Sequence, residues 1–148
     1  MMVPPVGSVA EPYSFPIEWG KVREFAAATQ SRYGGFVGDP DIAVPPTFLA
    51  CASAWWAEAS NCILDPDRDQ SQVIHGEQEF IFHGEPPRVG EWLVAQQRLD
   101  DVYAKSGRRC ATMTFVVVAT EFRNSTGRVV AEAKQTVILF GSPQKGTN

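Results

Sequence analysis

The sequence predicts an α+β fold in which a long, central apolar helix is wrapped by a curved antiparallel β-sheet. Two observations predict it. The run from Val44 to Ala59 (VPPTFLACASAWWAEA) opens on two prolines and is apolar almost all the way round. A surface helix shows an apolar stripe and a polar face, so a helix without a polar face has to be surrounded. The material to surround it lies between Gln72 and Phe140, where strand-length runs follow one another across short links. At 148 residues the chain fits one domain, 1–148, long enough to enclose a core. Within it, residues 1–13 read as an extended arm and 142–148 as a flexible polar tail.

The elements follow in order. Pro4, Pro5 and Pro12 keep the start extended. Ser14 and Pro16 stand where a cap and a first-turn proline belong, and Glu18 supplies acid there. Trp19, Val22, Phe25 and Ala26 then recur at helical spacing while Glu18, Lys21, Arg23 and Glu24 face away. That pattern predicts a surface helix of about four turns ending near Gln30. Ser31 to Ala43, with Gly34, Gly35, Gly38 and Pro40, reads as loop. The apolar helix follows and stops around Asn61, and Leu64 to Gln70 is a polar connection. Strands are predicted over 72–82, 91–104, 109–123 and 128–140. The links Lys105-Ser106-Gly107 and Asn124-Ser125-Thr126-Gly127 specify antiparallel hairpins. Phe115 to Ala119 is apolar on both faces, so the outer one needs a cover of its own, either the first helix or a partner subunit.

A formal net charge of −4 argues against nucleic acid as the main partner, although a local basic patch would still serve an anionic cofactor-like ligand. No run approaches the roughly 20 apolar residues of a membrane span, and the N-terminus has neither a basic region nor an apolar one suited to export. Cys51, Cys62 and Cys110 are an odd count without framework spacing. Cys51 and Cys62, about three helical turns apart in or next to the apolar helix, read as small core residues, and the thiols predict a reduced, cytoplasmic setting.

Three segments carry a family resemblance. Trp19-Gly20-Lys21-Val22-Arg23-Glu24-Phe25-Ala26 resembles the first helix of the MaoC-like dehydratases, in their FAS1-like dehydratase (MaoC N-terminal) branch. Val44-Pro45-Pro46-Thr47-Phe48-Leu49 resembles the entry to that branch's central helix. Val73 to Phe80, followed by Pro86, Pro87, Arg88 and Gly90, resembles its first long strand and tight turn. The similarity spans about residues 12–141. It implies the hot-dog fold and the interconversion of enoyl and (3R)-3-hydroxyacyl thioesters of CoA or acyl-carrier protein, with no cofactor beyond that substrate. It also implies dimers whose sheets join edge to edge around the acyl chain. In some members one subunit supplies the chemistry and the other shapes the acyl tunnel, as in the dehydratases of the mycolate pathway and of steroid side-chain breakdown.

Hydrating a conjugated thioester needs a base for water, an acid for carbon two and a donor for the developing enolate oxygen. The family pattern supplies an aspartate, an Asn-Pro and a histidine five residues after the aspartate, on the loop before the central helix. Here Gly38-Asp39 echoes the start of that motif, but five residues beyond Asp39 stands Val44, and five beyond Asp41 stands Pro46. There is no histidine before His75. The family dyad is therefore missing, and Asp39 and Asp41 read most simply as loop and capping residues.

The helix mouth remains. Pro45 and Pro46 donate no hydrogen bond, so an oxyanion contact falls to the N–H of Thr47, Phe48 or a neighbour. Pro46, Thr47 and Phe48 are thus candidate substrate contacts, with helix initiation as the plain alternative. Trp55 and Trp56 point about a hundred degrees apart on the helix. One is expected to pack under the sheet and the other is a candidate wall of the acyl tunnel at the dimer seam, with core packing as the plain alternative for both. In strand register His75, Glu77 and Glu79 share one face, a spacing that suits an acid–base pair or a metal ion. A solvated face or a subunit seam accounts for it as simply, and no metal site is assigned. His83 stands in a turn. Arg88, Arg108 and Arg109 sit at turns where a CoA or phosphopantetheine phosphate could reach them.

The sequence therefore predicts an acyl-thioester-binding subunit, in a homodimer or paired with a catalytic hot-dog chain that carries the Asp/His dyad. Three rivals stand beside it: an active homodimeric dehydratase using Asp39 or His75, an acyl-CoA-binding protein without turnover, and a thioesterase.

Overall fold

The computed structural model describes residues 3–54, 58–63, 70–106 and 112–140. Five strands form one antiparallel sheet: β1 (Tyr13–Pro16), β2 (Val73–Phe82), β3 (Trp92–Ser106), β4 (Thr112–Arg123) and β5 (Val129–Phe140), in the order β1-β3-β4-β5-β2. The four predicted long strands are all present within a few residues of their expected limits. The β4–β5 hairpin closes as its sequence specifies. Asn124 Oδ1 accepts from the N–H groups of Thr126 and Arg128, each at 3.1 Å, and Gly127 takes the left-handed φ of 80° that the turn requires.

Register decides which side chains look inward. Ala95, Phe122, Ala131 and Phe82 form one cross-strand row; Gln97, Thr120, Ala133 and Phe80 form the next; Leu99, Val118, Gln135 and Gln78 form a third. The inner face bears two apolar clusters. One joins Phe15, Val22, Phe48, Leu49, Ala52 and Phe122; the other joins Leu99, Val116, Val118, Val137 and Leu139. Phe48 is the hub of the first, with ring centroids 6.1 Å from Phe15 and 5.6 Å from Phe25.

Two expectations are corrected, and the extended arm is given its place. Helix α1 runs only from Trp19 to Ala28, because Tyr13 to Pro16 pair with β3 as strand β1 instead of opening the helix. The arm is docked along β3: Gly7 N–H donates to Leu99 O at 2.8 Å, and Ala10 N–H to Gln97 O at 3.0 Å. The central segment is 3₁₀ helix over Phe48–Ala54 and again over Glu58–Ser60. After two prolines its first hydrogen bonds span three residues, from Phe48 N–H to Pro45 O and from Ala50 N–H to Thr47 O. The Ser53 hydroxyl then donates to Ala50 O at 3.0 Å, occupying the carbonyl that an α-helical N–H would use. Phe48, Leu49 and Ala52 face the sheet, while Thr47, Ala50 and Ser53 are exposed in this single chain.

Helix α1 also packs on the inner side, through Val22, Phe25 and Ala26, so it does not cover the outer face of β4. That face carries Tyr103 stacked on Phe115 at 4.9 Å and a chain of ion pairs. Arg98 reaches Asp100 at 2.7 Å and Glu121 at 2.8 Å, and Glu121 also meets Arg123.

Candidate functional site

A pocket of about 250 Å³ lies between the 3₁₀ helix and the inner face of the sheet. Leu49, Ala50, Ala52 and Ser53 form its helical wall. The opposite wall is the sheet, and it is polar where a β-sheet core is ordinarily apolar. Gln97, Thr120, Gln135, Gln78 and His75 all line it, with Phe122 and Ala133 between them and Tyr13 as a further wall. Ala133 pairs with Thr120 and is too small to fill the space beside it.

Gln97 is 1 % exposed and Thr120 8 %. They are directly paired across β3 and β4, so both side chains enter the pocket from one row. Gln97 Oε1 accepts the Cys62 backbone N–H at 3.0 Å, which fixes the amide's orientation. Its NH₂ group has no protein partner among the described residues, and neither has the Thr120 hydroxyl. Buried polar groups are ordinarily satisfied, so this pair is a standing demand for a ligand or for water. Burial pushes the Tyr13 phenol up to about 12, so it stays a neutral hydroxyl over the ordinary pH range. No carboxylate lines the pocket among the described residues. The wall can hold and orient a neutral polar group, and His75 is the one imidazole on it.

His75 reaches the wall because of a bulge. It pairs with Val137, whereas Glu77 pairs with Thr136, leaving Gly76 as the extra residue. Gln78 pairs with Gln135, which alternates with Val137, so His75 and Gln78 share the inner face. Glu77 and Glu79, opposite Thr136 and Lys134, look outward. The expected single face of His75, Glu77 and Glu79 does not exist, because one inserted residue reverses the alternation. No cluster of three or more metal-ligating side chains forms among the described residues.

The other candidates are placed as follows. Asp39 ends the short helix α2 (Gly35–Gly38), is exposed, and accepts the Asp41 N–H at 2.9 Å as a loop-closing residue. It does not line the pocket, so Asp39 and His75 are not brought together there. Arg88 donates to Asp41 O at 2.6 Å and is committed to that loop. His83 Nε2 meets Glu132 Oε1 at 2.7 Å. Pro46 and Thr47 are exposed at the helix mouth, and the Phe48 N–H is already bonded to Pro45 O at 2.9 Å. Phe48 itself is enclosed in the core and is not part of the wall. Trp55, Trp56, Arg108, Arg109 and Cys110 lie outside the described residues. The sequence reading missed Gln97, Thr120 and Gln135. The signal was a polar residue at an inward position of a period-two strand, as in Leu93, Ala95, Gln97, Leu99.

Comparison with known proteins bears on both fold and site. The family model described as FAS1-like, dehydratase domain region matches residues 5–133. A protein of Saccharopolyspora erythraea, named only as a UPF0336 protein, is 31% identical over 135 residues, covering 84% of this chain and 81% of its own. Among solved structures, the C-terminally truncated HadBC (3R-hydroxyacyl-ACP dehydratase) complex of Mycobacterium tuberculosis superposes with a TM-score of 0.68 at 22% identity. The match covers 90% of this chain and 96% of that one. The ChsH1–ChsH2 complex of the same organism gives a TM-score of 0.62 at 18% identity, over 92% and 88% of the two chains. At these identities the structural likeness is one of fold: an antiparallel sheet curled around a central helical segment, the hot-dog arrangement. No helix among the described residues is long and apolar enough to cross a membrane.

Proposed function

The chain belongs to the FAS1-like dehydratase domain family, and from that membership we propose that it is an acyl-thioester-binding subunit of a (3R)-hydroxyacyl thioester dehydratase, paired with a second hot-dog chain that carries the Asp/His dyad. One observation carries this reading. The pocket beneath the helix is lined by neutral polar groups and His75, and by no carboxylate among the described residues. Such a wall binds and positions a substrate but lacks the paired acid and base that hydration requires. Asp39, the residue nearest to the family motif, is a loop residue off the pocket. The pairing follows the precedent of HadBC and ChsH1–ChsH2, both described as complexes. Pro46 and Thr47 at the helix mouth are then proposed as thioester contacts, Trp55 and Trp56 as acyl contacts, and the cytoplasm as the setting.

The test is hydration of crotonyl-CoA by the purified chain alone and by the chain with any hot-dog partner that co-purifies from its host. Activity only in the pair supports the reading. His75 on the wall favours one rival, an active homodimer. Activity of the chain alone that is lost in His75→Ala or Asp39→Asn would establish that rival and overturn the proposal. Tight acyl-CoA binding with no activity gained from any partner would instead mark a carrier or sensor.

A further inference from the structure

We infer that the pocket selects acyl chains bearing a hydroxyl or carbonyl oxygen away from the thioester and its reacting carbons. The inference rests on the acyl-binding reading above and adds the class of chain. Gln97 and Thr120 are nearly wholly buried, form one cross-strand pair and line the pocket. The Gln97 carbonyl is consumed by the Cys62 N–H, so what it offers the cavity is its NH₂ donor. Thr120 offers a hydroxyl that both donates and accepts, and Tyr13 adds a neutral phenol. An all-hydrocarbon chain in this place would strip water from these groups and give nothing back. A chain oxygen at the same depth restores the lost hydrogen bonds.

The position along the chain follows from the helix. Pro46 and Thr47, the proposed thioester end, are absent from the wall, whereas Leu49, Ala50, Ala52 and Ser53, further along, form it. The polar pair therefore meets the tail of the ligand and not its head.

The test is direct binding, by calorimetry, of dodecanoyl-CoA and of its mid-chain hydroxy and oxo derivatives to the full chain with any partner subunit that co-purifies. The oxygenated chains should bind about tenfold more tightly, one satisfied hydrogen bond's worth. Thr120→Val should reduce that preference several-fold, and Thr120→Ser, which keeps the hydroxyl, should retain it. Equal affinity for all three thioesters in the wild type overturns the inference and leaves acyl binding standing, with ordered water as the occupant of the polar pair. A preference that survives Thr120→Val unchanged also overturns it. If no thioester binds at all, the acyl-binding reading itself fails. Should Thr120→Val not fold, moving the oxygen along the chain in the wild type decides: affinity must peak at one position and not rise uniformly.

Discussion

The Cys62 backbone N–H donates to Gln97 Oε1 across 3.0 Å, tying the segment that follows the 3₁₀ helices to the middle of β3. A side chain in the sheet core thus secures the return of the central segment and, with its other end, presents a donor to the pocket. Architecture and binding surface share one amide.

Gln97→Leu fills similar volume but leaves the Cys62 N–H buried without an acceptor. The expected loss is about 1–3 kcal/mol of unfolding free energy, read from the denaturant midpoint. Unchanged stability would show that water takes over the bond and that the amide does not secure this segment.

Phe48 was expected at the substrate and stands instead at the centre of the aromatic cluster with Phe15 and Phe25. Phe48→Ala should cost about 3–5 kcal/mol, whereas Phe48→Leu should cost much less, since most of the volume remains. Thermal unfolding of the two variants checks this. Equal small losses would mean that the helix entry is loosely packed.

How much was legible beforehand follows from these residues. The strands could be read because alternation and turn chemistry are local: Asn124 and Gly127 specify their hairpin without help from the rest of the chain. The pocket wall could not. Gln97, Thr120 and Gln135 meet only through register across three strands, and register is a tertiary property. His75 shows the same limit more sharply. One bulge at Gly76 turned the expected His75–Glu77–Glu79 face inside out; a glycine within a strand marks a bulge, a bend or a close backbone approach, and the sequence does not say which. The 3₁₀ winding of Phe48–Ala54 was hidden as well, because apolar composition speaks of burial and not of pitch.

The bulge makes its own prediction. A Cβ on Gly76 would stand 2.8 Å from Ile138 Cδ1 and 3.0 Å from its Cγ1, so Ile138 must move aside. Gly76→Ala should therefore destabilise by about 1 kcal/mol, in the range of mild overpacking. Gly76→Val should cost more. Chemical denaturation reads both, and a stabilised Gly76→Val would show that Ile138 yields freely and that the position is not crowded.

Tyr13 supplies the last prediction, through pH. Its phenol is held up at about 12 against an ordinary 10 because burial penalises the charged form. The sign follows from proton counts. Above pH 10 the unfolded chain releases this proton while the folded chain keeps it, so folding loses ground as pH rises from 10 toward 12. The contribution is fully present below pH 10 and has an upper bound of roughly 3 kcal/mol, reduced by the solvent that reaches the ring. Tyr13→Phe removes the titration. Its stability curve should run flatter than the wild type's between pH 10 and 12, while the two differ by a constant amount at neutral pH. Parallel curves through the alkaline range would mean that the phenol is solvated and does not form a dry wall of the pocket.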